Sequence, residues 1–193
     1  MIRQFMILSM LILCLFTLPA HAGPPLDTVQ TKVNQVLDVL RDKNLSEEMK
    51  KEKLRTLYGQ MFDESELSKR TLGANWRKLN PAQQQEFTHL YRQVLEKAYI
   101  DKILAYTNEK IVFSREVTLA NDQAEVQTKI ITSSREIPIS YRVILKDGAW
   151  KVYDVVVENV SLAQNYRSQF NSILANNTPD QMLEILRKKV KGQ

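Results

Sequence analysis

Few side chains in this sequence have the chemistry to transform a substrate. There are two histidines, His21 and His89, and one cysteine, Cys14. His21 and Cys14 fall in the leader described below, and His89 sits beside Leu90 among polar neighbours in a helical stretch. No HExxH zinc pair is present, and a Ser-His-Asp relay would have to use His89, which reads as a solvated or partly packed residue. Asp63, Glu64 and Glu66 cluster just before a helix, where acids complement the dipole, so capping explains them better than a metal. No glycine-rich phosphate loop is present, and no cofactor is implied. Carboxylates distant in the chain that meet on folding are the one catalytic arrangement left open. Lys188, Lys189 and Lys191 form a basic tail, but the aromatic residues do not alternate with basic ones as a nucleic-acid surface requires. The tail reads as a solvated helix end, with a transient membrane contact as its functional reading. The side chains best suited to touching a ligand are two tyrosines and two arginines. Tyr141 and Tyr166 combine an apolar body with a polar tip. Arg142 and Arg167 can grip a phosphate bidentately, and Arg167 can alternatively brace the final helix against the sheet.

The elements that position these residues follow a leader. Arg3 precedes an apolar run from Phe5 to Leu18, Pro19 breaks it, and Ala20-His21-Ala22 has the small-x-small form of a signal-peptidase site. The run is shorter than the roughly 20 residues needed to cross a bilayer, and Leu13 is too large to precede a lipidated Cys14. Residues 1–22 are therefore expected to be a cleaved signal peptide, and residues 23–193 a single periplasmic α+β domain. The mature chain then has no cysteine for a disulfide, a thiolate or a sulfur metal site, so its stability should not respond to reductant. The net charge of +5 is mildly basic, with the charges scattered.

Helical periodicity dominates the first half. Val29, Val33, Val36, Leu37 and Leu40 form one stripe. Leu54, Leu57, Tyr58, Met61 and Phe62 form a second, after a Ser46 cap. Asp63 opens a short helix containing Leu67 and Leu72, which Gly73 ends. Asn80-Pro81 opens the longest helix, expected to run to Tyr106, with Phe87, Leu90, Tyr91, Val94, Leu95, Ala98 and Tyr99 on its buried face. From Ile111 the period changes to two, giving strands through Ile111–Leu119, Ala124–Ile130, Ile139–Leu145 and Trp150–Val160. Asn121-Asp122 and Asp147-Gly148 mark turns, the second a strong hairpin signal. Ser161 and Thr178-Pro179 cap two closing helices. The expected fold is a four-stranded antiparallel sheet whose apolar face is covered by the flanking helices.

Several stretches resemble the MlaC (toluene-tolerance) family. They are Phe62-Asp63 with Leu67 and Leu72-Gly73; Trp76-Arg77; Pro81 with Gln84 and Phe87; Gly148-Ala149-Trp150-Lys151-Val152-Tyr153-Asp154-Val155; and Val160-Ser161-Leu162 on to Asn165-Tyr166-Arg167-Ser168-Gln169-Phe170. Asn159 departs from the pattern, which often has glycine before Val-Ser, and leaves the local turn open. The resemblance implies an NTF2-like fold enclosing an apolar cavity between sheet and helices, and no enzymatic activity. It also implies a carrier of diacyl phospholipid between an outer-membrane lipoprotein complex and an inner-membrane MCE/ABC transporter, maintaining outer-membrane lipid asymmetry.

A carrier needs an apolar space near or above ~1,000 Å³ rather than a catalytic group. The expected lining is Leu72, Trp76, Leu95, Tyr99, Tyr106, Val126, Ile130, Tyr141, Val143, Val152, Tyr166 and Phe170, with Arg142 and Arg167 as head-group or partner contacts. Ordinary core packing is the competing role of each lining residue. Val143→Arg is expected to lower lipid loading while leaving the protein folded. Other readings stay open: a carrier of an isoprenoid or hopanoid-like lipid, a hydrolase or isomerase on an NTF2-like scaffold, or an interaction protein whose cavity is filled by its own side chains.

Overall fold

The computed structural model describes residues 24–106 and 109–192, so the leader read at residues 1–22 lies outside the described residues. Helix α1 spans Pro25–Arg41, with proline in its first turn and Val29, Val33 and Leu37 buried one turn apart. Helix α2 spans Glu47–Met61, and Ser46 Oγ accepts from the Met49 N–H. Helix α3 spans Glu64–Leu72. It ends where Gly73 takes φ +56°, a value that favours glycine, and a 3-10 turn over Gly73–Lys78 follows. Helix α4 spans Pro81–Leu104 behind a reciprocal Asn80–Gln83 capping box and is about 36 Å long at ~1.5 Å per residue.

Five strands follow in sequence order, all antiparallel: β1 Lys110–Ala120, β2 Gln123–Ile131, β3 Glu136–Lys146, β4 Ala149–Val157 and β5 Val160–Ser161. Helices α5 (Leu162–Leu174) and α6 (Pro179–Lys191) close the chain, capped by Ser161 and Thr178.

Two differences from the sequence expectation bear on the site. The long helix stops at Leu104, so Tyr106 leaves its face. The strand expected to run from Trp150 to Val160 is two, making five strands instead of four. Glu158 (φ +48°) and Asn159 (φ +67°) both adopt left-handed backbone between the paired residues Val157 and Val160. A two-residue loop with positive φ at both positions matches the twist of an antiparallel pair, and asparagine tolerates it best after glycine. That is why Asn159 can stand where the family often has glycine. Asn159→Gly is expected to be neutral or stabilising by up to ~1 kcal/mol, and Asn159→Val to cost about 1–2 kcal/mol. Paired urea melts check this, and equal midpoints for the two variants would exclude a backbone cause.

Two apolar cores result. Among the helices, Leu67 and Leu72 meet Phe87, Tyr91 and Leu95 of α4, Tyr166 and Phe170 of α5, and Met182, Leu183 and Leu186 of α6. Phe87 and Phe170 pack edge to face at 5.1 Å, as do Tyr91 and Phe170 at 5.7 Å. Against the sheet, Val29, Val33, Leu37 and Met61 cover Ala124, Val126, Val143 and Val152. Phe62 touches both cores and bridges to Val152, while the Asp63 N–H donates to the Val152 carbonyl at 2.9 Å.

Asp63 also caps α3 through the Glu66 N–H and pairs with Lys146 at 2.8 Å. Burial alone would raise its carboxyl, but Lys146 and the backbone N–H groups outweigh burial and hold it below the ordinary carboxylate value. A carboxyl held low stabilises the fold above its unfolded pKa of about 4, and that contribution is lost as pH falls through the lower folded value. Asparagine keeps the cap but not the pair. Asp63→Asn is expected to cost about 0.5–1 kcal/mol at pH 7, because water screens the half-exposed Lys146, and to cost progressively less below pH ~4. Stability curves against pH check it; a difference that stays constant into acid would remove the ion pair from the account.

Candidate functional site

The register of the meander defines which side chains share the helix-facing side of the sheet. Val126 opposes Tyr141, which opposes Val155; Thr128 opposes Ile139, which opposes Val157; Ile130 opposes Ile137 and Ile111. A bulge after Phe113 turns Glu116 to the same face, where its carboxylate accepts from the Leu26 N–H at 2.8 Å and anchors the start of α1. A second bulge leaves Tyr153 without a cross-strand pair on β3, so Tyr153 and Asp154 both point to the opposite face, where the Tyr153 hydroxyl donates to Gln123.

Coverage of the helix-facing side is uneven. Ala124, Val126, Val143 and Val152 are sealed beneath α1 and Met61. Toward the other end, Ile111, Phe113, Ile130, Ile137, Ile139 and Val155 are only half-buried, and Val157 and Val160 are exposed. Apolar side chains continue past the helices meant to cover them. Tyr141 stands at the border. It is only half-buried, and burial pushes its phenol up to about 12. Tyr106, just past α4, packs against this cluster, donates to the Glu109 carbonyl and accepts from Arg41 Nη2 at 3.2 Å.

The residues singled out in the sequence divide between the two cores. Leu72, Leu95, Tyr166 and Phe170 are buried among the helices, with Trp76 packed against them, and Tyr99 is exposed near the end of α4. Val126, Val143 and Val152 lie in the sealed half of the sheet, Tyr141 and Ile130 on its open half, and Tyr106 beside it. Val143 is 1% exposed. Its replacement by arginine would bury an unpaired charge, so Val143→Arg probes folding and not loading. Both arginines are engaged by protein. Arg142 lies on the far face of the sheet, donating to Glu125 at 3.1 Å and to Asp154 at 3.4 Å. Arg167 packs over Gly73 and donates to the Arg70 carbonyl at 3.0 Å, bracing α5 against the end of α3 and not against the sheet. The expected lining set did not include Phe113, Ile137, Ile139 and Val155, which share this half-buried row. Counting pairs outward from the Asp147-Gly148 hairpin would have placed the two β3 residues in line with Tyr141.

Two surface clefts lie elsewhere. One of about 510 Å³ is lined by Lys51, Arg55, Glu96 and Asp101, and one of about 330 Å³ on the polar sheet face by Glu125, Gln127 and Arg142. Their charged walls suit water and not acyl chains. Among the described residues, no group of His, Cys, Asp and Glu is arranged to hold a metal, and no helix is long and apolar enough to cross a membrane.

Fold and site together define an α+β protein in which an antiparallel meander is backed by helices that leave part of its apolar face open. A family model described as MlaC protein matches residues 30–188. The chain belongs to the MlaC family. It is similar to the toluene tolerance protein ttg2D of Pseudomonas putida, 26% identical over 129 residues covering 66% of this chain and 60% of the relative. It is also similar to the intermembrane phospholipid transport system binding protein MlaC of Haemophilus influenzae, 27% identical over 110 residues covering 54% and 51%. The matched stretches thus span between half and three fifths of those relatives' own lengths. The solved structure of a phospholipid-binding protein from Ralstonia solanacearum, in complex with a phospholipid, superposes with a TM-score of 0.78 over 88% of this chain and 98% of its own. At 21% identity that likeness is one of fold.

Proposed function

We propose that this protein binds a phospholipid with its acyl chains against the open half of the sheet and carries it between membranes. The observation that supports this reading is the row of half-buried apolar residues around Tyr141, left uncovered where a folded protein ordinarily completes its core. Two acyl chains of roughly 28 methylenes, at ~0.8 kcal/mol each, cost on the order of 20 kcal/mol to expose to water. An apolar surface that accepts them lowers this barrier without any catalytic group. The head group remains in water, so an extended polar recognition set is not required.

The family membership, and the phospholipid named for the Haemophilus and Ralstonia proteins, support the same cargo here. A periplasmic setting rests on the leader read at residues 1–22. Exchange with an outer-membrane lipoprotein complex and an inner-membrane MCE/ABC transporter rests on the family resemblance. Native mass spectrometry of the protein purified from periplasm without detergent tests the cargo. The expected result is a discrete added mass that fragments as a phospholipid. A bare protein mass that persists after incubation with labelled vesicles would leave the open face as unoccupied surface.

A further inference from the structure

We propose that Arg41 is the phosphate contact for the bound lipid, a deepening that rests on the phospholipid reading above. Arg55, Arg70, Arg92, Arg135, Arg142 and Arg187 each pair with a carboxylate, and Arg167 is spent on the Arg70 carbonyl. Arg41 has no carboxylate within ion-pair distance among the described residues, and its position sets it apart from other unpaired arginines. It ends α1, directly after Leu40, which packs into the sheet core. Its Nη2 donates to the Tyr106 phenol at 3.2 Å, and its guanidinium lies 6.0 Å from that ring. Tyr106 packs against the cluster that includes Ile111, Phe113 and Tyr141, and its own hydroxyl is held by the Glu109 carbonyl.

The exposed guanidinium is thereby fixed beside the start of β1, at the end of the sheet where Ile111, Ile130 and Ile137 remain open. A guanidinium carries five N–H donors, and Tyr106 takes one of them. The planar fork that remains matches the non-bridging oxygens of a phosphodiester. Acyl chains laid along the open half would leave the lipid phosphate at this end, in water and next to a cation that has no carboxylate partner among the described residues. Tyr106 then acts as a positioning residue that holds the fork at the opening.

The test compares lipids with and without the phosphate. Protein and its Arg41→Gln variant are incubated with vesicles containing phosphatidylglycerol and diacylglycerol of the same acyl chains, and bound lipid is counted by native mass spectrometry. The expected result is a roughly tenfold loss of phosphatidylglycerol from Arg41→Gln, unchanged diacylglycerol, and partial recovery in Arg41→Lys. Equal loss of both lipids would make Arg41 a structural support for Tyr106 and overturn the inference. Unchanged phosphatidylglycerol would overturn it too, while leaving the carrier reading intact. Failure of the unaltered protein to take up either lipid would instead overturn the carrier reading, and this inference with it. Inorganic phosphate titrated alone by calorimetry is expected to give no heat; binding as tight as the phospholipid's would make this a free-phosphate site and overturn the lipid assignment.

Discussion

Ile139→Arg is expected to reduce retained phospholipid by tenfold or more while the protein melts within about 3 °C of its parent. Ile139 lies between Thr128 and Val157 on the open half of the sheet and is only half-buried. In the empty protein an arginine there can lay its methylenes along the surface and keep its guanidinium in water. The folding cost then stays near 1 kcal/mol, a few degrees for a chain of this size. Acyl chains laid over it would desolvate the charge, and a penalty above ~1.4 kcal/mol is already a tenfold loss of occupancy. Val143→Arg is the contrasting control. Four residues further along β3, beneath α1, the charge has no path to water, and the variant is expected not to fold. Counting bound lipid in folded Ile139→Arg by native mass spectrometry, beside a thermal melt, separates the two effects. Full retention would remove the open half from the binding surface.

Asp154→Ala should be a strongly destabilising change outside the apolar cores. Asp154 is 3% exposed and accepts from the Ser161 hydroxyl at 2.6 Å, the Ala163 N–H at 3.0 Å and Arg142 at 3.4 Å. One carboxylate therefore ties β4 to β5, to the first turn of α5 and to the polar face of β3. Alanine leaves the buried Ser161 hydroxyl and the Ala163 N–H without an acceptor, though Ser161 still accepts from Gln164 and Arg142 keeps Glu125. The expected loss is about 2–4 kcal/mol, or roughly 10 °C in Tm. Asp154→Asn retains one acceptor and is expected to lose about half as much. Amide exchange at the start of α5 should accelerate in both variants. A loss below ~1 kcal/mol in Asp154→Ala would show that Ser161 and Ala163 find water in its place.

Helix starts were legible in the sequence because their signals are local. Ser46, Asp63, Asn80, Ser161 and Thr178 each accept from the N–H three residues on, and each is recognisable as a short polar residue before an apolar period. The change of period at Ile111 located the meander for the same reason. Helix and strand ends were less legible. Apolar spacing carried the long helix on to Tyr106, and the valine-rich run through Val160 concealed the turn at Glu158-Asn159, which only backbone angles reveal.

What the sequence by itself determined is the order of elements, the alternation of faces, and the scarcity of groups that could act on a substrate. What only the tertiary structure decided is which apolar residues are sealed. Tyr166 and Tyr141 have the same chemistry, yet one joins a core closed by four helices and the other borders an opening. Arg142 and Arg167 look as available as Arg41 until their acceptors Glu125, Asp154 and the Arg70 carbonyl are in place. Periodicity reports the face of one element at a time. Burial and charge pairing belong to two elements at once, and on the sheet they are settled by how far α1 and the end of α2 reach across it.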